Sequence, residues 1–335
     1  MIITRTPLRI SFFGGGTDFP EYFLEHEGVV LSTAINRYCY FHANTFPSRL
    51  VDYSIRLSYS RSELVKSISE IQHPVFRACL HYVGINSNIE LHAVSDLPAF
   101  TGLGSSSSFT VGLLHTLHTV QNDRVIASML AREAIHVERT LLKEHIGLQD
   151  QVAAAYGGFN IIEFSKNAEP RVRHVGISIE NLLYLQSHLL LIFTKIKRRA
   201  QDIEKDKLIA IKKNLAQFDA MKKIVAEALK LIETKGKLDI VAFGRLLHES
   251  WESKQKLSNL VANETIKEYY SRGLKQGAYG GKLLGAGGGG FLLFIAPPDR
   301  HQHIKRAFPG HYAINIKIGV PGSEVIFSTP LIHEL

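Results

Sequence analysis

The stretch that most restricts the fold of this 335-residue chain is LPAFTGLGSSSSFTVGLLHTL, residues 97–117. Glycines at 102 and 104 open backbone conformations closed to other residues and let the chain approach a ligand closely. Four serines follow. Phe109, Val111, Leu113, Leu114 and Leu117 then suit a buried helix that begins directly after the loop. A helix N terminus presents N–H donors and the positive end of the helix dipole, so the loop is a natural phosphate site. A serine hydroxyl there can also ligate Mg²⁺. The competing reading is a flexible Gly/Ser linker. Strand-like residues before the loop and a periodic helix after it weigh against that. No Gly-Lys-Ser/Thr is present, which excludes a Walker A loop.

The chain is long enough for two domains and, at 45% hydrophobic and 21% charged, has apolar material for a packed core. A formal charge of +8 suits either a nucleic-acid binder or a protein that handles anionic metabolites. The basic residues are scattered, the densest run being KIKRR at 195–199, and aromatics are not interleaved with them as stacking platforms. Anionic small molecules are therefore the expected partners, with no nucleic acid and no membrane. Two cysteines, Cys39 and Cys79, give no disulfide framework or metal-ligand spacing and read as reduced packing residues. The N terminus lacks the apolar stretch of a signal peptide, and the aliphatic run at 189–193 is too short to span a bilayer, so a cytoplasmic location is expected.

Residues 2–13, 29–44, 56–60 and 89–94 read as strands, the first ending at Gly14-Gly-Gly16. Residues 62–83 carry a helical pattern interrupted near Pro74. A second helix after the loop is signalled by Asn122 and Asp123 as caps, then Ile126, Leu130, Ala134, Val137 and Leu141. Residues 156–164 look like a turn into a strand, and 182–194 like a buried strand. A long amphipathic helix is expected over 200–234, with Leu208, Ile211, Leu215, Phe218, Val225, Leu229 and Ile232 on one stripe. Further helices are expected over 243–256 and 263–276, and strands over 291–296 and 313–318. The domain division is placed at 180/181.

Three further segments carry chemistry. GAGGGG at 285–290 matches G-x-G-x-x-G, but a strand-like run follows it where a dinucleotide site needs a helix. A glycine turn pressed against a backbone or a ligand is the remaining reading. In PLRISFFGGGTD, residues 7–18, a buried strand delivers Arg9 and a glycine bend presents Thr17 and Asp18. Arg9 suits phosphate or carboxylate recognition and Asp18 sugar hydroxyls; a surface hairpin with a solvated aspartate is equally compatible. Asp150, in GLQDQV after the helix that carries Glu138 and Arg139, reads as a cap or as a functional carboxylate.

Together and in this order these segments resemble the GHMP kinase superfamily. Its first motif, Pro-x-Arg with a glycine bend and Thr-Asp, is similar to Pro7, Arg9, Thr17 and Asp18; its second to residues 98–106; its glycine-rich third to residues 282–291. Within the superfamily, RTPLRISFFGGGTDFPEYF and TGLGSSSSFTVGLLHTL are most similar to bacterial D-glycero-D-manno-heptose 7-phosphate kinases. The resemblance implies an α+β, mixed α/β, two-domain fold. Residues 1–180 would form an ATP-binding domain like ribosomal protein S5 domain 2, and residues 181–335 a ferredoxin-like domain.

It further implies ATP and Mg²⁺ as cofactors and phosphorylation of a sugar, or sugar phosphate, at its anomeric hydroxyl. Asp150 would take the proton from the attacking hydroxyl. Arg9 would keep that aspartate ionised, steady the transferring phosphoryl group and touch substrate. Pro98, Thr101, Gly102, Leu103, Gly104, Ser105, Ser106 and Ser107 would hold the nucleotide. Ser106 and Glu138 would bind the metal. Gly15, Gly16, Thr17, Asp18, Arg198, Gly287 and Gly288 would meet the sugar. Two departures bear on the acceptor. Galactokinases carry Gly-Glu-His-Thr-Asp where this chain has Gly14-Gly-Gly-Thr-Asp18, which suits another or larger sugar. Heptose-type kinases have Thr-Gly-x-x-Arg where this chain has Thr194-Lys-Ile-Lys-Arg198, and Lys195 either holds a substrate phosphate or faces solvent. Other acceptors of the superfamily, galactose or fucose, and a non-catalytic ligand- or nucleic-acid-binding relative are the alternatives. Oligomeric state stays open, a homodimer among the options.

Overall fold

The computed structural model describes residues 1–47, 51–99, 101–166, 168–196, 214–257 and 261–329. In its first half the strands are β1 (Ile2–Phe13), β2 (Gly28–Thr45), β3 (Ile55–Ser58), β4 (Ser62–Val65), β5 (Ile89–Ser95), β6 (Phe159–Ser165) and β7 (Ala168–His174). The helices there are α1 (Pro20–His26), α2 (Pro74–Val83), α3 (Ser105–Val120), α4 (Ala127–Ile135) and α5 (Gln149–Tyr156). The second half holds α6 (Ile179–Ser187), β8 (Leu189–Phe193), α7 (Leu215–Ile232), α8 (Ile240–Gln255), α9 (Glu264–Lys275), β9 (Gly280–Leu283), β10 (Phe291–Ile295), α10 (His301–Arg306), β11 (Ala313–Ile314) and β12 (Glu324–Ser328).

The long strand β2 organises the first sheet. Its near half pairs with β6, its far half with β5, and β1 lies antiparallel along both. Strand order is β12-β1-β2-β5-β3-β4, with β3 parallel to β5 and with β6 and β7 branching off β2. Helices α2 to α5 cover one side of this sheet around Phe41, Phe76, Leu113, Leu117 and Val152. The second sheet, β11-β8-β10-β9, is wholly antiparallel. Its chain order, strand, helices, two strands, helix, strand, is the ferredoxin-like arrangement. One core joins the two sheets: Leu8, Ile10 and Phe12 of β1 pack with Leu189, Leu191, Leu293, Val225 and Phe243. Because side chains alternate along a strand, that packing sends Arg9 and Ser11 to the opposite face of β1.

Several elements depart from expectation for local reasons. Residues 62–65 are a strand hairpinned to β3, and helix begins only at Pro74, which fits a first-turn position and cannot be preceded by more helix. The run 182–194 divides into α6 and β8: the Ser178 side chain accepts the Asn181 N–H at 3.2 Å and starts a helix where the leucines alone were ambiguous. Asn122 and Asp123 close α3 rather than open α4, since Asp123 N–H bonds His118 O and Asn122 sits at φ 62°. The long helix is seen as Leu215–Ile232; Leu208 and Ile211 lie outside the described residues. The strand expected over 313–318 is reduced to β11. The last strand, β12, returns to pair with β1, so residues 324–328 belong to the first sheet despite lying beyond position 180. Both cysteines are buried free thiols. Among the described residues no helix is long and apolar enough to cross a membrane.

Candidate active site

A cavity of about 680 Å³ lies at the join of the two halves, lined by residues of β1, the Gly14–Thr17 turn, the loop before α3, the N terminus of α5, α8 and the 285–286 turn. At its wall Arg9, only 4% exposed, makes a two-pronged ion pair with Asp150: Nε donates to Oδ1 at 2.7 Å and Nη2 to Oδ2 at 2.6 Å. The third prong, Nη1, donates to Gly102 O at 2.7 Å. One guanidinium therefore ties the carboxylate on α5 to the glycine loop, in the planar fork geometry that lysine lacks. Asp150 stays one quarter exposed, and each carboxylate oxygen keeps a lone pair for a further donor.

The glycine loop is built as a helix entrance. Gly104 caps α3 at φ 75°, and a Cβ there would stand 3.0 Å from Arg9 Cγ, so the arginine passes directly beneath it. The first bond of α3 runs from Ser108 N–H to Gly104 O, which leaves the N–H groups of Ser105, Ser106 and Ser107 without intrahelical acceptors. Gly102, Gly104, Ser105, Ser106 and Ser107 line the cavity. Pro98, Thr101 and Leu103 instead shape the loop. Thr101 Oγ1 donates to Pro98 O, and Leu103 O accepts the Arg9 N–H at 2.9 Å.

The glycines at 285–290 form the seat of this loop. Cβ atoms at Gly285 and Gly102 would come within 2.5 Å of each other's local backbone, and Phe291 N–H bonds Thr101 O. Gly285 lines the cavity, but Gly287 and Gly288, expected at the sugar, are packed on Val261: Gly288 N–H donates to Val261 O at 2.9 Å. The third glycine motif thus presses backbone on backbone.

Around the first motif, Gly15, Gly16 and Asp18 line the cavity. Asp18 is buried. Its Oδ1 accepts Gly16 N–H at 2.8 Å and its Oδ2 accepts Gln149 N–H at 3.2 Å. Burial pushes its carboxyl above the ordinary range; the Gly16 and Gln149 N–H groups oppose this and the charge of Asp150 adds to it. Thr17, expected at the sugar, has a backbone role instead. Its hydroxyl lies 2.8 Å from Gly14 O and 2.9 Å from Val29 O and accepts the Val29 N–H. Lys195 is exposed at φ 64°, its Nζ beside Gly310 and away from the cavity lining. Arg198 lies outside the described residues.

Glu138 sits in a π-helical turn, His136–Leu141, a rare geometry that recurs at functional sites. It accepts Ser107 Oγ at 2.9 Å, Thr110 Oγ1 at 2.6 Å and the Gln151 amide. The hydroxyls on Glu138 are thus those of Ser107 and Thr110, while Ser106, the expected fellow metal ligand, is exposed at the helix entrance. Complete burial raises the Glu138 carboxyl to about 7, against which its three neutral donors act. A buried carboxylate beside a serine and a threonine hydroxyl offers the hard oxygen donors that suit a divalent cation.

From about 4.5 to about 7 the folded state holds the Glu138 proton and the unfolded state loses it, so stability from this group falls as pH rises through that window. In chelator, Glu138→Gln is expected to exceed wild type by on the order of 3 kcal/mol at pH 8, the gap shrinking below about 1 kcal/mol at pH 5. Denaturant melts at the two pH values measure it; equal stability at pH 8 contradicts it.

Sequence reasoning missed six polar lining residues, Ser11, His73, Glu144, Gln149, Lys254 and Lys282. Ser11 shared a strand face with Arg9, and Gln149 adjoined Asp150, so both had a signal. Lys282 reaches back to Ser11 O and Phe12 O at 3.0 and 2.8 Å, and Lys254 to Gly285 O; these long-range contacts left none.

With this geometry in place, the chain can be compared with known proteins. Residues 62–158 match the GHMP kinases N terminal domain and residues 225–314 the GHMP kinases C terminal domain. A D-glycero-alpha-D-manno-heptose 7-phosphate kinase of Campylobacter jejuni is 31% identical over 316 residues, 91% of this chain and 92% of that protein. The chain belongs to the GHMP kinases. A galactokinase of Pyrococcus furiosus is 22% identical over 93% of each chain. The crystal structure of a D-glycero-D-manno-heptose 1-phosphate kinase from Bacteriodes thetaiotaomicron superposes with a TM-score of 0.79 at 22% identity, covering 98% of this chain and all of that one. This GHMP kinase therefore has the two-domain fold of its relatives.

Proposed function

We propose that the protein transfers the γ-phosphoryl group of ATP to the anomeric hydroxyl of D-glycero-D-manno-heptose 7-phosphate, giving the 1,7-bisphosphate and ADP. The observation that carries this reading is the Arg9 fork, which fixes Asp150 against the ATP loop. Phosphoryl transfer needs little covalent chemistry from a protein; positioning and charge stabilisation do most of the work. The N–H groups of Ser105 to Ser107 hold phosphate oxygens at the helix entrance. A remaining lone pair of Asp150 accepts the hydroxyl proton as the sugar oxygen bonds to phosphorus and the bond to the ADP oxygen breaks. Arg9 contributes positive charge beside the transfer path. Asp18, held by two backbone N–H groups, accepts a sugar hydroxyl. Ser106, Ser107 and Glu138 would hold Mg²⁺, which when bound neutralises charge on phosphate oxygens.

The heptose assignment rests on the full-length likeness to the Campylobacter jejuni kinase and on the absence of a side chain at Gly15, where a Cβ would face two lining residues, Ser11 and Gln149. It is tested by coupled ADP release over a panel of sugars. Heptose 7-phosphate is expected to give the highest kcat/KM, with unphosphorylated heptose, galactose and fucose at least about tenfold lower. Faster turnover of galactose or fucose would move the assignment to those acceptors.

A further inference from the structure

Two cavity residues that the mechanism does not use stand on either side of Gly15. Ser11 is 7% exposed, lines the cavity, and among the described residues its Oγ is the only fully buried hydroxyl oxygen with no hydrogen-bond partner. Comparable buried hydroxyls are all engaged: Thr4 with Thr116, Ser32 with Ile10 O, Ser108 with Pro7 O. The Oε1 of Gln149 is likewise buried without a partner, and Gln149 also lines the cavity. Its backbone is fixed, since its N–H donates to Asp18. A Cβ at Gly15 would stand 3.2 Å from Ser11 Oγ and 3.5 Å from Gln149 Nε2. A side chain at this position would crowd both groups.

We propose that Ser11 Oγ and the Gln149 carboxamide form a specificity pair that reads the hydroxyl next to the one phosphorylated. A serine hydroxyl both donates and accepts, and a carboxamide offers two donors and an acceptor, so the pair matches one alcohol group from two sides. Its place follows from the chain. Ser11 is two residues from Arg9 on the same strand face, and Gln149 immediately precedes Asp150, so both lie in the cavity wall beside the pair assigned to the transfer. The anomeric carbon of a ring sugar has one hydroxyl-bearing neighbour, C2. The pair therefore distinguishes sugars by presence and configuration of the C2 hydroxyl. This inference rests on the anomeric-kinase reading above.

The test is a cycle of enzyme and substrate changes. Wild type, Ser11→Ala and Gln149→Met are each assayed with the panel sugar that wild type turns over best and with its 2-deoxy analogue. Against the full sugar each variant is expected to raise KM about five- to tenfold, the loss of one hydrogen bond, with kcat within about threefold. Against the 2-deoxy sugar the variants and wild type should coincide, and KM for ATP should not move. An equal loss on both sugars, or none on either, overturns the pairing. Calorimetric binding of the two sugars to each protein repeats the cycle without turnover, and weakened binding of both sugars by a variant whose ATP affinity is unchanged overturns the pairing in the same way. Failure of wild type to phosphorylate any panel sugar rejects the function proposed above, a different outcome from a flat cycle in an active enzyme.

Discussion

Asp150→Asn is expected to lower kcat by about 10³-fold or more while ATP affinity stays within about threefold. Asparagine has the shape of aspartate and still offers Arg9 one acceptor, so the cavity wall keeps its form. It has no carboxylate to take a proton, and its amide NH₂ faces one of the two guanidinium donors now paired with Asp150. The glycine loop, which the proposed function assigns to ATP, is held independently, by Leu103 O on the Arg9 N–H and by the 285–290 turn. Steady-state kinetics with direct nucleotide binding separates the two effects. Turnover near the wild-type rate would remove Asp150 as the base.

The second large effect concerns the seat of that loop. Gly285→Ala is expected to raise KM for ATP by about 100-fold, because a shift of about 1 Å in a positioning element costs that much. The new Cβ would lie 2.5 Å from Gly102 Cα at a φ of +72°, and only main chain can give way. Gly84→Ala is the control. It has nearly the same backbone angle, φ +81°, but nothing within 4 Å of the added atom. It should cost about 1–2 kcal/mol of stability through backbone strain alone and leave KM unchanged. Matching kinetics for the two variants would show that backbone angle, and not the contact between loops, governs the ATP site.

What could be read from the sequence follows how local the physics is. Residues 2–13 are a strand because β-branched and aromatic side chains alternate up to a glycine turn, and α3 follows the loop because its apolar period starts at Phe109. Arg9, Asp18, Asp150 and the loop from Gly102 to Ser107 carried enough pattern to be placed, and the fold brings them to one cavity. Motif membership points Thr17, Gly287 and Gly288 at the sugar, because pattern alone does not distinguish a residue that touches ligand from one that shapes the turn beneath it. Strand β12 was invisible because its five residues acquire meaning only by pairing with the start of the chain, more than 300 positions away. Lys282 has the same character: its role is set by two carbonyls of β1.

The opening loop gains most from the structure. The glycines of the 102–107 loop serve two neighbours, Arg9 below Gly104 and the 285 turn against Gly102, and its Ser107 serves Glu138. The most direct test of the account is to locate the phosphate that the enzyme adds. Incubation with ATP, Mg²⁺ and D-glycero-D-manno-heptose 7-phosphate, followed by phosphorus NMR, should show one ADP per sugar and a new phosphorus signal coupled to the anomeric proton. A new phosphate on any other carbon, or ADP release that does not depend on the sugar, would contradict it.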